Sequence, residues 1–282
     1  MPDVIERLGD SFIQHGADSD RIYLMKLNPG DVPTILARLE QLAETNDYGK
    51  IFGKIPVPDA EAFARAGYRQ EAAIPGFFEG RIDVAFMSRF RKSDRSRISD
   101  EQRTATAHAL EVAKQRRGAS IDRSKTDYQV RRLHEKDTLQ LAALYQAVFP
   151  SYPFPIFDQE YLCETMATHI RYFGAFDRDR LVAASSAETD PEGRNAEMTD
   201  FATDPNHRCK GLAVTLLRAM EVDMKAAGFA TLYTIARAVS VGMNVTFARC
   251  DYRFGGTLIN NTQISGRIES MNVWYKNLVI SS

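Results

Sequence analysis

The stretch Asp204-Pro-Asn-His-Arg-Cys-Lys-Gly-Leu-Ala213 carries the densest chemistry in the chain. It follows a strand-like run, 196–203, and opens a helix-like run, 211–227. The first turn of a helix has free N–H groups and the positive end of the dipole. Such a turn is a ready site for a phosphate or pyrophosphate. Gly211 lets the backbone approach a ligand closely, because no Cβ intervenes. Arg208 and Lys210 add positive charge beside it. Cys209 is a nucleophile by type, but no orienting base accompanies it. Taken alone, the stretch reads first as an ordinary strand-to-helix turn, so its surroundings must decide.

The surroundings form two series of elements. In the first, Val4–Leu8 and Arg21–Leu27 read as strands. Asn28-Pro29-Gly30-Asp31 is a turn, and Asp31 is placed to cap a helix that aligns Val32, Ile35, Leu36, Leu39 and Leu42. Lys50–Ile55 is a strand, 58–66 a helix closed by Gly67, and 68–74 and 81–90 two further strands. Residues 91–103, dense in Arg, Ser and Asp, read as a solvated linker, and 105–117 as a helix. In the second series a strand at 127–133 precedes helices at 137–149 and 161–169, with three prolines between them. A hairpin, 172–176 and 181–188, leads to the strand 196–203 and the turn. The next helix puts Leu212, Leu216, Leu217, Met220 and Met224 on one face and stops at Gly228. A strand at 231–236, a short helix at 241–250 and a final strand pair, 252–264 and 268–278, complete the chain.

Bulk properties narrow the function classes. A chain of 282 residues, 44% hydrophobic and 26% charged, can bury a sizeable core as one large domain or two smaller ones. A net charge of −1 argues against a nucleic-acid binder that relies on bulk positive charge. Cys163, Cys209 and Cys250 are scattered, with neither metal spacing nor a disulfide framework. No signal-like start and no apolar run of membrane-spanning length are visible, so no membrane partner and a cytoplasmic location are expected. Nothing fixes the oligomeric state; a homodimer is compatible.

The two series echo each other. Phe63-Ala-Arg-Ala-Gly-Tyr-Arg69 and Phe247-Ala-Arg-Cys-Asp-Tyr-Arg253 share five of seven residues. Arg81-Ile82-Asp83 and Arg267-Ile268-Glu269 follow at similar spacing. The N-terminal third therefore reads as a copy of the C-terminal half of the second unit. Its equivalent turn, Asn28-Pro-Gly-Asp31, lacks a donor at Pro29. The first copy is expected to be structural, without a phosphate site.

The order of the second series, with Arg208-x-x-Gly211-x-Ala213 at its central turn, resembles the GNAT superfamily of acetyl-CoA-dependent N-acetyltransferases. A narrower match follows. Phe149-Pro-Ser-Tyr-Pro-Phe-Pro155, Ala196-Glu-Met-Thr-Asp-Phe-Ala-Thr203, Thr231-Leu-Tyr-Thr-Ile-Ala-Arg-Ala238, Gly242-Met-Asn244 and Ile268-Glu-Ser-Met-Asn272 look like the β-lysine N-acetyltransferase family. The likeness covers 127–278 well, and the N-terminal extension fits it.

The resemblance implies an α/β protein with a mixed sheet: a degenerate half-GNAT unit (1–95), a charged linker and helix (96–125) and a catalytic GNAT domain (126–282). It implies direct transfer of acetyl from acetyl-CoA to the side-chain amine of β-lysine, with no metal. The product, Nε-acetyl-β-lysine, serves in that family as a compatible solute. Backbone N–H groups of Cys209, Lys210, Gly211, Leu212 and Ala213 would hold the CoA pyrophosphate, with Arg208 at the motif's cationic position. Phe201 and Thr203 would present backbone groups to the pantetheine arm and the thioester carbonyl, and Asn244 would bind CoA or a water, or stabilise its helix. Glu197 is the first candidate base, sharing a face with Phe201 and Thr203 by period two. Asp200, on the other face by that rule, is the second. Where the family's general-acid tyrosine is expected this chain has Phe247, which leaves the acid unassigned; Tyr252 reads as packing. Tyr152, Phe154 and Pro155 on the loop, and Asn260, Asn261 and Glu269 on the last strands, would surround the acceptor. Glu269 could pair with an amine and Arg237 or Arg267 with the carboxylate, although the two arginines, like Trp274 and Tyr275, read first as sheet residues. Other outcomes kept open are a GNAT enzyme for lysine or a polyamine, and an acyl-CoA-binding sensor without turnover.

Overall fold

A computed structural model describes residues 3–118, 128–264 and 266–278. The expected boundary at 125/126 lies outside the described residues. Strands β1 (Val4–Leu8), β2 (Ser11–Gly16) and β3 (Arg21–Lys26) form an antiparallel meander. Helix α1 (Val32–Thr45) crosses over to β4 (Lys50–Pro56), which runs parallel to β3. Helix α2 (Val57–Arg65) leads to the hairpin β5 (Arg69–Phe78) and β6 (Ile82–Phe90). Ile35, Leu39 and Ala43 of α1 are buried against Ile22, Leu24 and Ile51. Asp31 does not cap α1 with its side chain. Its carboxylate accepts from the Asp10 N–H and the Ser11 hydroxyl, at 2.9 and 2.7 Å, tying the start of β2 to the turn.

Helix α3 (Asp100–Gln115) starts with a capping box between Ser99 and Gln102. Strand β7 (Gln129–Arg132) and helices α4 (Thr138–Val148) and α5 (Gln159–Thr168) follow. Then come β8 (Ile170–Asp177), β9 (Arg180–Asp190), β10 (Asn195–Thr203), α6 (Leu212–Ala226), β11 (Thr231–Arg237), α7 (Val241–Arg249), β12 (Arg253–Ile264) and β13 (Arg267–Asn277). Helices α6 and α7 cover one face of this half, where Leu216, Leu217, Met220 and Phe247 are fully buried. Helices α4 and α5 cover the other through Leu141, Tyr145 and Leu162.

The thirteen strands among the described residues make one sheet, ordered β1-β2-β3-β4-β6-β5-β12-β13-β11-β10-β9-β8-β7. The sequence echo reappears as topology. The run β1-β2-β3-α1-β4-α2-β5-β6 has the same order and strand pairing as β8-β9-β10-α6-β11-α7-β12-β13. The two runs meet edge to edge where Gly256 of β12 pairs with Ala72 of β5. A Cβ on Gly256, whose φ is +142°, would lie 2.3 Å from the Glu71 carbonyl oxygen, so only glycine permits this seam.

The sheet curls until its two halves face each other. The Lys54 ammonium of β4 reaches the Tyr233 hydroxyl of β11 at 2.9 Å. Residues 91–97 are not the solvated linker their composition suggests. Arg95 is buried, donating to the carbonyls of Ser19 (3.0 Å) and Asn260 (2.8 Å). The Asn260 amide in turn donates to the carbonyls of Asp94, Arg95 and Arg97. The charge that makes this segment look solvated is what clamps the two halves together.

Candidate active site

Between the facing halves lies a cavity of about 280 Å³. Its floor is β10, where Glu197, Thr199 and Asp200 line it together. Strict alternation would send Glu197 and Asp200 to opposite faces. A bulge between Thr199 and Ala202 inserts one residue against β9, and Asp200 takes φ +53°. The bulge therefore corrects two expectations. Asp200 joins Glu197 at the cavity, and Phe201 turns to the opposite face, edge-on to Phe247.

Glu197 pairs directly across the sheet with Glu188 of β9. Burial, with the like charge of Glu188, pushes the Glu197 carboxyl up to about 7, against the attraction of Lys54 and a hydrogen bond from Tyr233. Asp200 is also pushed up by burial, but its oxygens are occupied: the Tyr152 and Ser186 hydroxyls each donate to it at 2.5 Å. Asp200 thus anchors the loop that roofs the cavity, through Tyr152, while Phe154 on the same loop adds an apolar wall.

Beyond Glu197 the sheet opens. Strand β10 pairs with β11 only at Asn195, Ala196 and Glu197, although both strands run on. Thr199 and Asp200 on one lip and Ile235 on the other line the cavity, so it reaches this gap. At the far end of β10 stands the Arg208–Ala213 turn. Cys209 (φ +62°) and Gly211 (φ +74°) adopt left-handed conformations, and no side chain caps α6. The first backbone bond of that turn is from the Thr215 N–H to the Gly211 carbonyl at 3.1 Å, leaving the N–H groups of Gly211 to Val214 outside the helix ladder. No atom lies within 4 Å of a Cβ built on Gly211. Beside the turn, the Lys210 ammonium donates to the Tyr128 hydroxyl at 2.9 Å.

The Acetyltransferase (GNAT) family profile matches residues 139–249. The chain is 37% identical over 98% of its length to a β-lysine N(6)-acetyltransferase from Methanococcus maripaludis, covering 99% of that protein. It is 32% identical to a second protein of that name, from Methanosarcina mazei, over 88% of this chain and 98% of that one. It is 30% identical to N-acetyltransferase YodP from Bacillus subtilis, over 94% and 95% respectively. This chain belongs to the GNAT family of acetyltransferases. GNAT enzymes use acetyl-CoA as donor. The uncapped, positive end of α6, the open space at Gly211 and the gap between β10 and β11 fit a phosphate-bearing, extended ligand. Among the described residues no cluster of His, Cys, Asp and Glu could hold a metal, and no helix is long and apolar enough to cross a membrane.

Several residues expected at the site of this acetyltransferase are engaged elsewhere. Asn244 is fully buried and saturated: its amide donates to the carbonyls of Arg237, Ala238 and Ser240, and its oxygen accepts from Asn272 and Trp274. It has no capacity left for CoA. Asn260 is spent on the 94–97 segment and does not line the cavity. Glu269 accepts from Arg237 (2.8 Å) and Arg267 (2.7 Å), away from the cavity wall. Phe247 and Tyr252 pack against each other in the core. Asn261, by contrast, does line the cavity. The opposite wall carries none of the residues expected from the sequence except Asn261. Gln14, Arg21, Tyr23, Met25 and Phe52, which line it, all come from the N-terminal half, where no site residue was expected. In the sequence Arg21 opens the run Arg21–Leu27, which also holds Lys26 and reads as an ordinary strand.

Proposed function

We propose that this acetyltransferase acetylates the side-chain amine of β-lysine, giving Nε-acetyl-β-lysine. The observation that carries this reading is the charge layout of the cavity: Glu197 and Glu188 on one wall and a buried arginine, Arg21, on the other. A molecule with amines and a carboxylate matches that layout, and two full-length relatives are named for such a substrate.

The amine is protonated in solution, with a pKa of about 10.4 for a lysine-type group. An ammonium cannot attack a carbonyl carbon, so its proton must leave. Glu197, at about 7, is poised to accept it near neutral pH. Tyr233 and Lys54 form a hydrogen-bonded chain behind that carboxylate. Glu188 would help hold the arriving cation. Acetyl-CoA, when bound, supplies the activated acetyl thioester. Backbone N–H groups from Cys209 to Ala213, with Arg208 and Lys210, would hold its pyrophosphate. The exposed edge of β10 at Phe201–Thr203 would face its pantetheine arm, and an N–H aimed at the thioester carbonyl would stabilise charge developing there. Phe247 is buried and cannot donate, which leaves the general acid unassigned; a thiolate whose thiol has a pKa of about 8.5 is a fair leaving group and would need only water as its proton source.

The reading extends to organisation and role. Residues 1–95 form a degenerate half-GNAT unit beside the catalytic unit 126–282, with 96–125 between them, in a cytoplasmic enzyme whose product is a compatible solute. Net neutrality of the acetylated amino acid suits accumulation to high concentration. Incubation of purified protein with acetyl-CoA and β-lysine, followed by fragmentation mass spectrometry, tests the chemistry. The acetyl group is expected on the side-chain nitrogen; acetyl on the other nitrogen would contradict the placement of Glu197.

A further inference from the structure

Arg21 is 3% exposed and borders the cavity. Its guanidinium lies over the rings of Phe52 and Tyr23, at 5.1 and 5.6 Å from their centroids. Among the described residues all its hydrogen-bond acceptors are neutral. Nη1 donates to the Asn261 carbonyl (2.7 Å) and the Thr262 hydroxyl (2.6 Å), and Nη2 donates to the Gln14 side chain (3.2 Å). Three bonds use three of five N–H groups, and Nε is buried with no partner. Asp3 and Glu197 attract this charge and Arg95 repels it, but among the described residues no carboxylate forms an ion pair with it. Burial pushes Arg21 down to about 10, so it stays cationic at neutral pH. Buried charges in proteins are normally paired, because an unpaired one forfeits its hydration without compensation.

A second unsatisfied atom lies beside it. Asn261 is 1% exposed, borders the same cavity, and its Oδ1 has no partner. The Arg21 bond to the Asn261 carbonyl fixes the two residues side by side. One offers spare cationic donors and the other a spare acceptor. Together they complement a carboxylate next to an ammonium. Glu197 and Glu188, on β10 and β9, are left for a second amine.

We propose that Arg21 and Asn261 form the subsite for the amino-acid head of the acceptor, with Arg21 taking the carboxylate and the Asn261 Oδ1 accepting from the adjacent amine. The inference rests on the reading of the acceptor as β-lysine and assigns its orientation. It also gives the N-terminal half a chemical task, namely choosing amino acids over polyamines. A polyamine would leave the guanidinium buried and unpaired, and a site built for a polar group rejects ligands that lack it.

The test is steady-state kinetics of wild type and Arg21→Gln with β-lysine and with a carboxylate-free diamine of the same chain length. Wild type is expected to favour β-lysine in kcat/KM by about 100-fold, the scale of a charged hydrogen-bonded contact. In Arg21→Gln that preference is expected to collapse, through a KM for β-lysine raised by about 100-fold, with an unchanged far-UV circular dichroism spectrum and a cooperative thermal transition showing the variant to be folded. An Arg21→Gln enzyme that keeps the wild-type preference would overturn the subsite and leave β-lysine as the acceptor. Wild type that favours the diamine would overturn both. Should Arg21→Gln not fold, wild type alone decides with β-lysine carboxamide. A KM raised by about 100-fold supports the subsite, and an unchanged KM overturns it.

Discussion

At the scale of single residues the account turns on Glu197. Its carboxyl must be ionised to accept a proton, so kcat/KM should rise with pH through about 7 and then level. Glu197→Gln should remove that limb and lower kcat by roughly 100- to 10,000-fold; an unchanged rate and profile would remove Glu197 as the base. Lys54 tests the same group from outside the cavity lining. Its ammonium favours the ionised carboxylate, so Lys54→Met should move the rising limb to higher pH. A limb that stays in place or moves to lower pH would show that Lys54 does not act on the base. Arg21, Asn244 and Asn260 show why residue type alone ranks candidates poorly. Asn244 and Asn260 are polar residues whose amide donors are taken up by backbone carbonyls. Arg21 sits in a strand that reads as ordinary sheet, yet keeps spare donors at the cavity.

At the scale of elements, the helix α6 terminus and the β10 bulge position the chemistry. Gly211→Ala would place a methyl in open space at a left-handed position, costing about 1 kcal/mol of stability. The KM for acetyl-CoA is expected to rise well beyond what that small cost explains, because the methyl would occupy the phosphate approach; a wild-type KM would place the donor elsewhere. The turn was legible in the sequence because it is local: its glycine, cations and flanking periodicities lie within a few residues. Order and approximate extent of the elements were legible for the same reason, from Val32–Leu42 of α1 to Leu212–Met224 of α6. The bulge was not. One extra residue in β10 leaves no periodic trace among Met198, Thr199 and Asp200, yet it reverses which side chains share a face with Glu197.

At the scale of the molecule, the site exists because two similar halves curl together. Lys50 holds that arrangement from a fully buried position, donating to Glu71 (2.7 Å) and to the Ile259 carbonyl of β12 (2.8 Å). Lys50→Met would leave the Glu71 carboxylate buried without its partner, at a cost of about 3–5 kcal/mol, readable as a lower urea midpoint. An unchanged midpoint would mean that this contact does not hold the halves together. The shared order of elements was legible from the Phe63 and Phe247 echoes, but its consequence was not. Arg21 meets Asn261 across 240 residues of chain, a contact set by sheet curvature that no local pattern encodes. The central claim, that the shared cavity selects β-lysine for acetylation, is tested most directly by kcat/KM for a panel of amines with purified protein and acetyl-CoA. The account predicts the highest value for β-lysine, above lysine and above polyamines. A polyamine turned over faster than β-lysine, or background CoA release with every amine, would contradict it.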